Sequence, residues 1–246
     1  MSLQDKVILI TGASNGIGKA CAQRLAKEGA SVVINYNTDS ASANAMVESL
    51  GADRALAVQA DASKVEDIER LVEAAVAKFG RIDTIMANAG MMLMREVENT
   101  SEEDFGRMFD LNVKGPYFLA QKAIPHMLPG SKILFVSTGV CHLSSITPSY
   151  LLYAATKGSI EQMTRVMAKG LASKGITVNA VAPGPIATEF FYRGKTEAAI
   201  TAVKGLSPFN RLGEAEEIAN VVNFLCSKES SWVAGQTILV NGATMV

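Results

Sequence analysis

Short apolar runs rich in β-branched residues alternate along the chain with longer amphipathic stretches. The runs at 7–10, 32–34, 82–86, 133–136 and 176–181 read as buried parallel strands, because a strand covered on both faces is hydrophobic nearly throughout. Ala55–Gln59 and Thr237–Val240 are two weaker candidates. Between these runs the period changes. Ile68, Leu71, Val72, Ala75, Val76 and Phe79 follow i, i+3, i+4, i+7, i+8 and i+11 and make a single apolar stripe. Ile218, Val221, Val222 and Leu225 repeat the pattern near the C-terminus. Strands separated by helices of this length imply βαβ crossovers. The prediction is an α/β, Rossmann-type, doubly wound sheet of about seven parallel strands with helices on both faces.

One stretch breaks the rhythm. From Pro183 to Gly213 the chain holds Pro183, Pro185, Pro208 and four glycines, and it reads as a long irregular loop. It follows a late strand, so it is expected on the carboxyl edge, where open α/β sheets bind ligands, as a substrate-side loop over 183–213. Phe190, Phe191 and Tyr192 within it either close over an apolar substrate or staple the loop to the core.

Length and composition narrow the class. The 246 residues fit one α/β domain over 1–246, and 48% hydrophobic against 19% charged residues supports a large core. A net charge of −1 supplies no positive field for nucleic acid or anionic lipid. The apolar runs fall far short of the ~20 residues that cross a bilayer. Residues 1–6 lead straight into the first run, leaving no room for a signal peptide, and a cytoplasmic protein is expected. Cys21, Cys141 and Cys226 are odd in number and far apart, and His126 and His142 lack ligand spacing, so no metal site is expected.

The first strand runs directly into Thr11-Gly12-Ala13-Ser14-Asn15-Gly16-Ile17-Gly18, followed by an apolar helical pattern. A strand, glycine turn and helix in that order leave backbone N–H groups at a helix N-terminus free to receive a phosphate. Glycine permits the tight turn and the close approach of a pyrophosphate. Dinucleotide binding follows from this context.

The spacing T-G-x-x-x-G-x-G resembles that of the short-chain dehydrogenase/reductase family, and the resemblance extends along most of the chain. It takes in Asp61-Ala62, Asn88-Ala89-Gly90, Leu111-Asn112-Val113, Tyr153-Ala154-Ala155-Thr156-Lys157, Pro183-Gly184-Pro185-Ile186-Ala187-Thr188 and the run Gly235–Gly242. The resemblance implies cofactor contacts from Gly12, Ser14, Asn15, Gly16, Ile17, Gly18, Asp61, Ala62, Asn88, Ala89, Gly90, Tyr153, Lys157, Pro183, Gly184, Ile186 and Thr188. The second strand ends in Asn35-Tyr36-Asn37, where an acidic side chain would accept from a ribose 2′-hydroxyl and repel a 2′-phosphate. Neutral Asn35 and Asn37 favour NADP(H), with NAD(H) left open. Asn15 stands where the family often has a cation, and no Lys or Arg occurs between Lys27 and Arg54, so any 2′-phosphate would be held by neutral groups.

Tyr153 and Lys157 lie four apart in a helical stretch and share one face. Carbonyl reduction needs a proton on the oxygen, and a nearby ammonium is expected to lower the pKa of a phenol that supplies it. Tyr150 lacks such a cation at i+4 and is assigned to the pocket lining instead, with Phe190 and Phe191. The family's substrate-orienting serine, thirteen residues before the tyrosine, falls here on Val140; aligning on the strand end puts Thr138 in that role, with Ser137, Ser144 and Ser145 as alternatives. Asn112 resembles the asparagine that positions a relay water; it also reads as a buried amide at a helix kink before Pro116.

The expectation is an NAD(P)-dependent oxidoreductase interconverting a carbonyl and a secondary alcohol. Two other readings stand beside it: a 3-oxoacyl-thioester reductase, whose acyl carrier would need basic residues such as Arg95, Arg193 and Lys195, and a catalytically silent nucleotide sensor. Helices near 112–128 and 152–172 carry apolar residues on more than one face, and the family pairs these helices between subunits, so a homotetramer or homodimer is expected.

Overall fold

The alternation of runs and stripes folds as one seven-stranded parallel sheet, seen in a computed structural model that describes residues 2–245. The strands are β1 (Val7–Ile10), β2 (Ser31–Tyr36), β3 (Ala55–Gln59), β4 (Thr84–Ala87), β5 (Lys132–Val136), β6 (Thr177–Pro183) and β7 (Thr237–Val240). Their spatial order is β3-β2-β1-β4-β5-β6-β7, and every neighbouring pair is parallel. The helices are α1 (Gly16–Lys27), α2 (Ser40–Leu50), α3 (Val65–Phe79), α4 (Glu102–Phe109), α5 (Gly115–Ala123), α6 (Leu151–Leu171), α7 (Glu189–Tyr192), α8 (Glu197–Lys204) and α9 (Ala215–Cys226).

Successive strand residues point to opposite faces, and both faces are covered. Ile8, Ile10 and Ile34 pack with Leu25 of α1, Met46 of α2 and Val222 of α9. Leu9, Val33 and Ile85 pack on the other face with Leu71 of α3, Leu119 of α5 and Ile160 of α6. This double covering makes β1, β2 and β5 continuous hydrophobic runs. Edge strands β3 and β7 are only partly covered, which is why their sequences carry a weaker signal.

The 183–213 segment differs from the expected irregular loop, since it contains α7 and α8. Each begins at a threonine cap: Thr188 accepts from Phe191 N, and Thr196 accepts from Ala199 N. A capping side chain followed by Glu nucleates a short helix that proline and glycine counts conceal. Glu102-Glu103-Asp104 sits in the first turn of α4, where Ser101 Oγ accepts from Asp104 N, as helix-start chemistry requires.

Candidate active site

The strand order reverses between β1 and β4, and the turns leaving these two strands open the crevice in which doubly wound sheets bind dinucleotides. The turn after β1 is held by side chains from both neighbours. Asn88 Nδ2 donates to the carbonyls of Thr11 and Gly12 at 2.9 Å, and Thr11 Oγ1 accepts from Asn88 N and Ala89 N at 3.0 Å. From the other side, Asn35 Oδ1 accepts from Gly12 N at 3.2 Å, while Asn35 Nδ2 donates to Ala60 O at 2.9 Å. The amides of Asn35 and Asn88 therefore hold the turn in shape.

A Cβ at Gly18 would lie 2.3 Å from Gly12 O, so only glycine lets α1 start this close to the turn. That start leaves its backbone donors open. Asn15 occupies the N-cap without a side-chain hydrogen bond, and the first turn of α1 has no acidic residue. By comparison, α2, α4, α7 and α8 have side-chain caps from Asp39, Ser101, Thr188 and Thr196, whereas α5 and α6 share the uncapped start but continue from a π-helical and a 3-10 turn. Open N–H groups at the positive end of a helix fit a pyrophosphate.

Around this opening lie the other sequence-identified residues. Ser14 is buried and Asn15 exposed, and Asn37 is exposed at the end of β2. Lys19, one turn into α1, approaches Asp39 closely enough to help the Ser42 hydrogen bonds lower that carboxyl pKa. Sequence spacing gave no hint of this cation, because Lys19 lies far from β2 along the chain. Asp61 Oδ1 accepts from Ser63 N and Oγ, and Ala62 O lies so close to Gly115 that a Cβ there would not fit. Gly184 is pressed against Asn241, Ile186 is bridged to Gly213, and Thr188 faces Gly16 across the cleft at van der Waals distance from a Cβ built there.

The chemical groups converge at the ends of β4 and β5. Tyr153 and Lys157 share a face of α6 and are both buried, with Lys157 Nζ 5.9 Å from the centre of the Tyr153 ring. Thr138 leaves β5 in an extended conformation; its Oγ1 accepts from Val140 N at 3.3 Å and stands close enough to the Tyr153 phenol to favour the phenolate. Asn112 lies in a π-helical turn, Asp110–Lys114, between α4 and α5. Its Oδ1 accepts from Met91 N at 2.9 Å, and its Nδ2 donates to Met91 O and to Thr156 Oγ1. So Asn112 is indeed a buried amide at a distorted turn, but its partners lie on the β4 loop and α6 rather than in its own helix. A Cβ at Gly90 would be 3.3 Å from Asn112 Oδ1 and 3.5 Å from Lys157 Nζ, which puts all three at one point.

Burial governs the electrostatics. It pushes the Tyr153 phenol up to about 12, against the opposing effect of the Thr138 hydroxyl. It also brings the Lys157 ammonium down to about 8, while Nζ donates to Val136 O at 2.8 Å. The expected lowering of the phenol by the ammonium is not found: burial dominates at both groups, and at Tyr153 only the Thr138 hydroxyl acts against it.

Tyr150 closes a 3-10 turn and packs with Met91, Met92, Leu93, Val140 and Phe109 around Met108, Leu152 and Tyr153. Phe190 and Tyr192 are exposed, and Phe191 stacks edge-on with Tyr192 beneath Lys195 Nζ. Arg95 pairs with Asp104, Arg193 with Glu189, and Lys195 donates to Phe191 O.

Comparison with known proteins agrees with this geometry. The family model described as enoyl-(acyl carrier protein) reductase matches residues 12–243. The hydroxynaphthalene reductase-like protein Arp2 of Metarhizium robertsii is 38% identical, over 99% of this chain and 96% of its own length. Among solved structures, a blue fluorescent protein from a metagenomic library in complex with NADPH superposes with a TM-score of 0.94 at 31% identity, covering all of both chains. A short chain dehydrogenase from Burkholderia cenocepacia in complex with NADP gives 0.94 at 29% identity over 99% of each chain. A glycine turn opening onto an uncapped helix, a buried Tyr-Lys pair and similarity along nearly the whole length lead to one conclusion: the chain belongs to the short-chain dehydrogenase/reductase family.

Proposed function

We propose that the protein is an NADP(H)-dependent oxidoreductase that interconverts a ketone and a secondary alcohol, with Tyr153 as the proton donor and acceptor. The buried pair of Tyr153 and Lys157, one turn apart on α6 with Nζ 5.9 Å from the ring centre, carries this reading, and the Thr138 hydroxyl stands beside the phenol. Bound NADPH supplies the hydride. Tyr153 Oη and Thr138 Oγ1 hold the substrate oxygen from two sides, and the phenol, kept neutral by burial, gives its proton to that oxygen. Lys157 would hold the nicotinamide ribose and pass Tyr153 a proton drawn from solvent through a water that Asn112, meeting it at Gly90, positions.

The open N-terminus of α1 takes the pyrophosphate, and Lys19, Asn37 and Thr38 surround the 2′-phosphate. Tyr153, Lys157, Thr138 and Asn112 form the catalytic set; Tyr150, Phe190 and Phe191 face the substrate, with 183–213 as its covering segment. The apolar side chains of Met91, Met92, Val140 and Tyr150 favour a flat, cyclic carbonyl compound, in keeping with relatives named hydroxynaphthalene reductase-like. The acyl-carrier reading is weaker, because Arg95, Arg193 and Lys195 each have a local partner. We also read the protein as a cytoplasmic homotetramer or homodimer.

The decisive variant is Tyr153→Phe. It should bind NADPH normally, by nicotinamide fluorescence, yet lose about 10²–10⁴-fold in ketone turnover followed by NADPH absorbance. Full turnover by this variant would refute the assignment. Tight NADPH binding by the wild type with no turnover of any carbonyl or alcohol would favour the silent sensor.

A further inference from the structure

Three consecutive residues where β5 ends each face α6. Val136 O accepts from Lys157 Nζ at 2.8 Å, and the Thr138 hydroxyl stands close enough to Tyr153 to favour its phenolate. Between them, Ser137 Oγ donates to Glu161 Oε1 at 2.8 Å. Glu161 stands one turn beyond Lys157, so Tyr153, Lys157 and Glu161 follow i, i+4, i+8 on one helix face. The same Glu161 oxygen meets His142 Nε2 at 2.9 Å, and an acceptor-only carboxylate fixes that nitrogen as the donor. His142 ends the 3-10 turn Gly139–His142 that follows Thr138.

The segment carrying Thr138 is therefore gripped at both ends by one carboxylate. We infer that Glu161 is a positioning residue of the active site: through Ser137 and His142 it sets the Thr138 hydroxyl against Tyr153.

The physical argument has two parts. Both bonds are charge-assisted and within normal distance, and the Glu161 side chain is 18% exposed, so water screens them less than a surface pair. Apart from the Lys157 Nζ–Val136 O bond, which holds the strand end rather than the turn after it, the other ties to α6 are weak. Ser137 Oγ reaches Lys157 O only at 3.5 Å, and Cys141 Sγ reaches Ala154 O at 3.7 Å. Loss of the carboxylate leaves the turn free to shift, and a displacement of about 1 Å at an orienting group costs about 10²-fold in rate.

This inference rests on the reading of Thr138 and Tyr153 as the groups that hold the substrate oxygen. It is tested on the full chain with Glu161→Ala, Glu161→Gln and Ser137→Ala. NADPH affinity is read by fluorescence, reduction of 9,10-phenanthrenequinone by NADPH absorbance, and local opening by hydrogen exchange of peptides spanning 137–143. Glu161→Ala should lose about 10–10²-fold in kcat, keep its Kd for NADPH within about twofold, and exchange faster in 137–143 alone. Glu161→Gln keeps an oxygen that accepts from both donors and should recover to within about threefold of the wild type. Ser137→Ala, which removes one tie and leaves Glu161 in place, should fall between. Unchanged kcat and exchange in Glu161→Ala would overturn the inference, as would equal losses in the Gln and Ala variants. If Glu161→Ala does not fold, a wild-type kcat in Ser137→Ala overturns it. A wild type inert toward the quinone counts against the ketone-reductase reading, and the exchange arm then decides the inference by itself.

Discussion

The Tyr153–Lys157 pair is readable from its spacing, and Thr138 only from the end of its strand, because the family spacing falls on Val140; the proton states of the pair are not readable. Burial is a property of the fold, and here it moves both groups toward neutrality. Lys157 falls from 10.5 to about 8, so between these values the folded protein has released a proton that the unfolded chain retains. Stability must then rise with pH in this window and be lost as pH falls through about 8. Compared with Lys157→Met, the wild type should gain on the order of 2–3 kcal/mol between about pH 7 and pH 10, measured by urea unfolding. A constant difference between the two proteins would contradict this. Asn35 and Asn88 show the opposite failure. Their place in the nucleotide motif was readable, but their amides are engaged by Gly12, Thr11 and Ala60, partners that meet only once β3, β2, β1 and β4 lie in order in the sheet. His142 lacks ligand spacing in the sequence; its Glu161 partner lies across the β5–α6 connection, beyond the reach of local pattern.

Elements with a strong period were found close to their observed limits, and even the weaker runs of β3 and β7 match theirs, because a partly covered strand keeps apolar positions on its inner side. The short helices α7 and α8 were missed. Neither buries a residue, so neither has an apolar stripe, and their only marks are the threonine caps. The open start of α1 belongs to this scale as well. Asn15→Asp places a negative charge at the positive end of that helix. It should stabilise the ligand-free protein by about 0.3–1 kcal/mol in urea unfolding. The same charge opposes a pyrophosphate, so NADPH binding should weaken at least about tenfold by fluorescence titration. Tighter binding in the variant would show that the phosphates lie elsewhere.

The outer faces of α4, α5 and α6 leave Phe105, Tyr117, Leu151 and Val166 exposed by 45–60%, an apolar surface that a second copy of the chain would cover. Light scattering at micromolar concentration should give a multiple of 26.0 kDa, and Val166→Lys should shift it toward the single-chain mass. A wild-type mass of one chain would contradict the assembly. Among the described residues, no helix is long and apolar enough to cross a membrane. At the far end of the chain, Asn241 Nδ2 donates to Met245 O, and the Met245 sulfur seats against Gly139, beside Thr138. During synthesis the phosphate-binding half, β1 to β4, emerges first and holds most of its own hydrogen-bonding partners. The turn that carries Thr138 has to wait for residues 241–245, so a nascent chain shapes its glycine turn before the segment facing Tyr153 is braced.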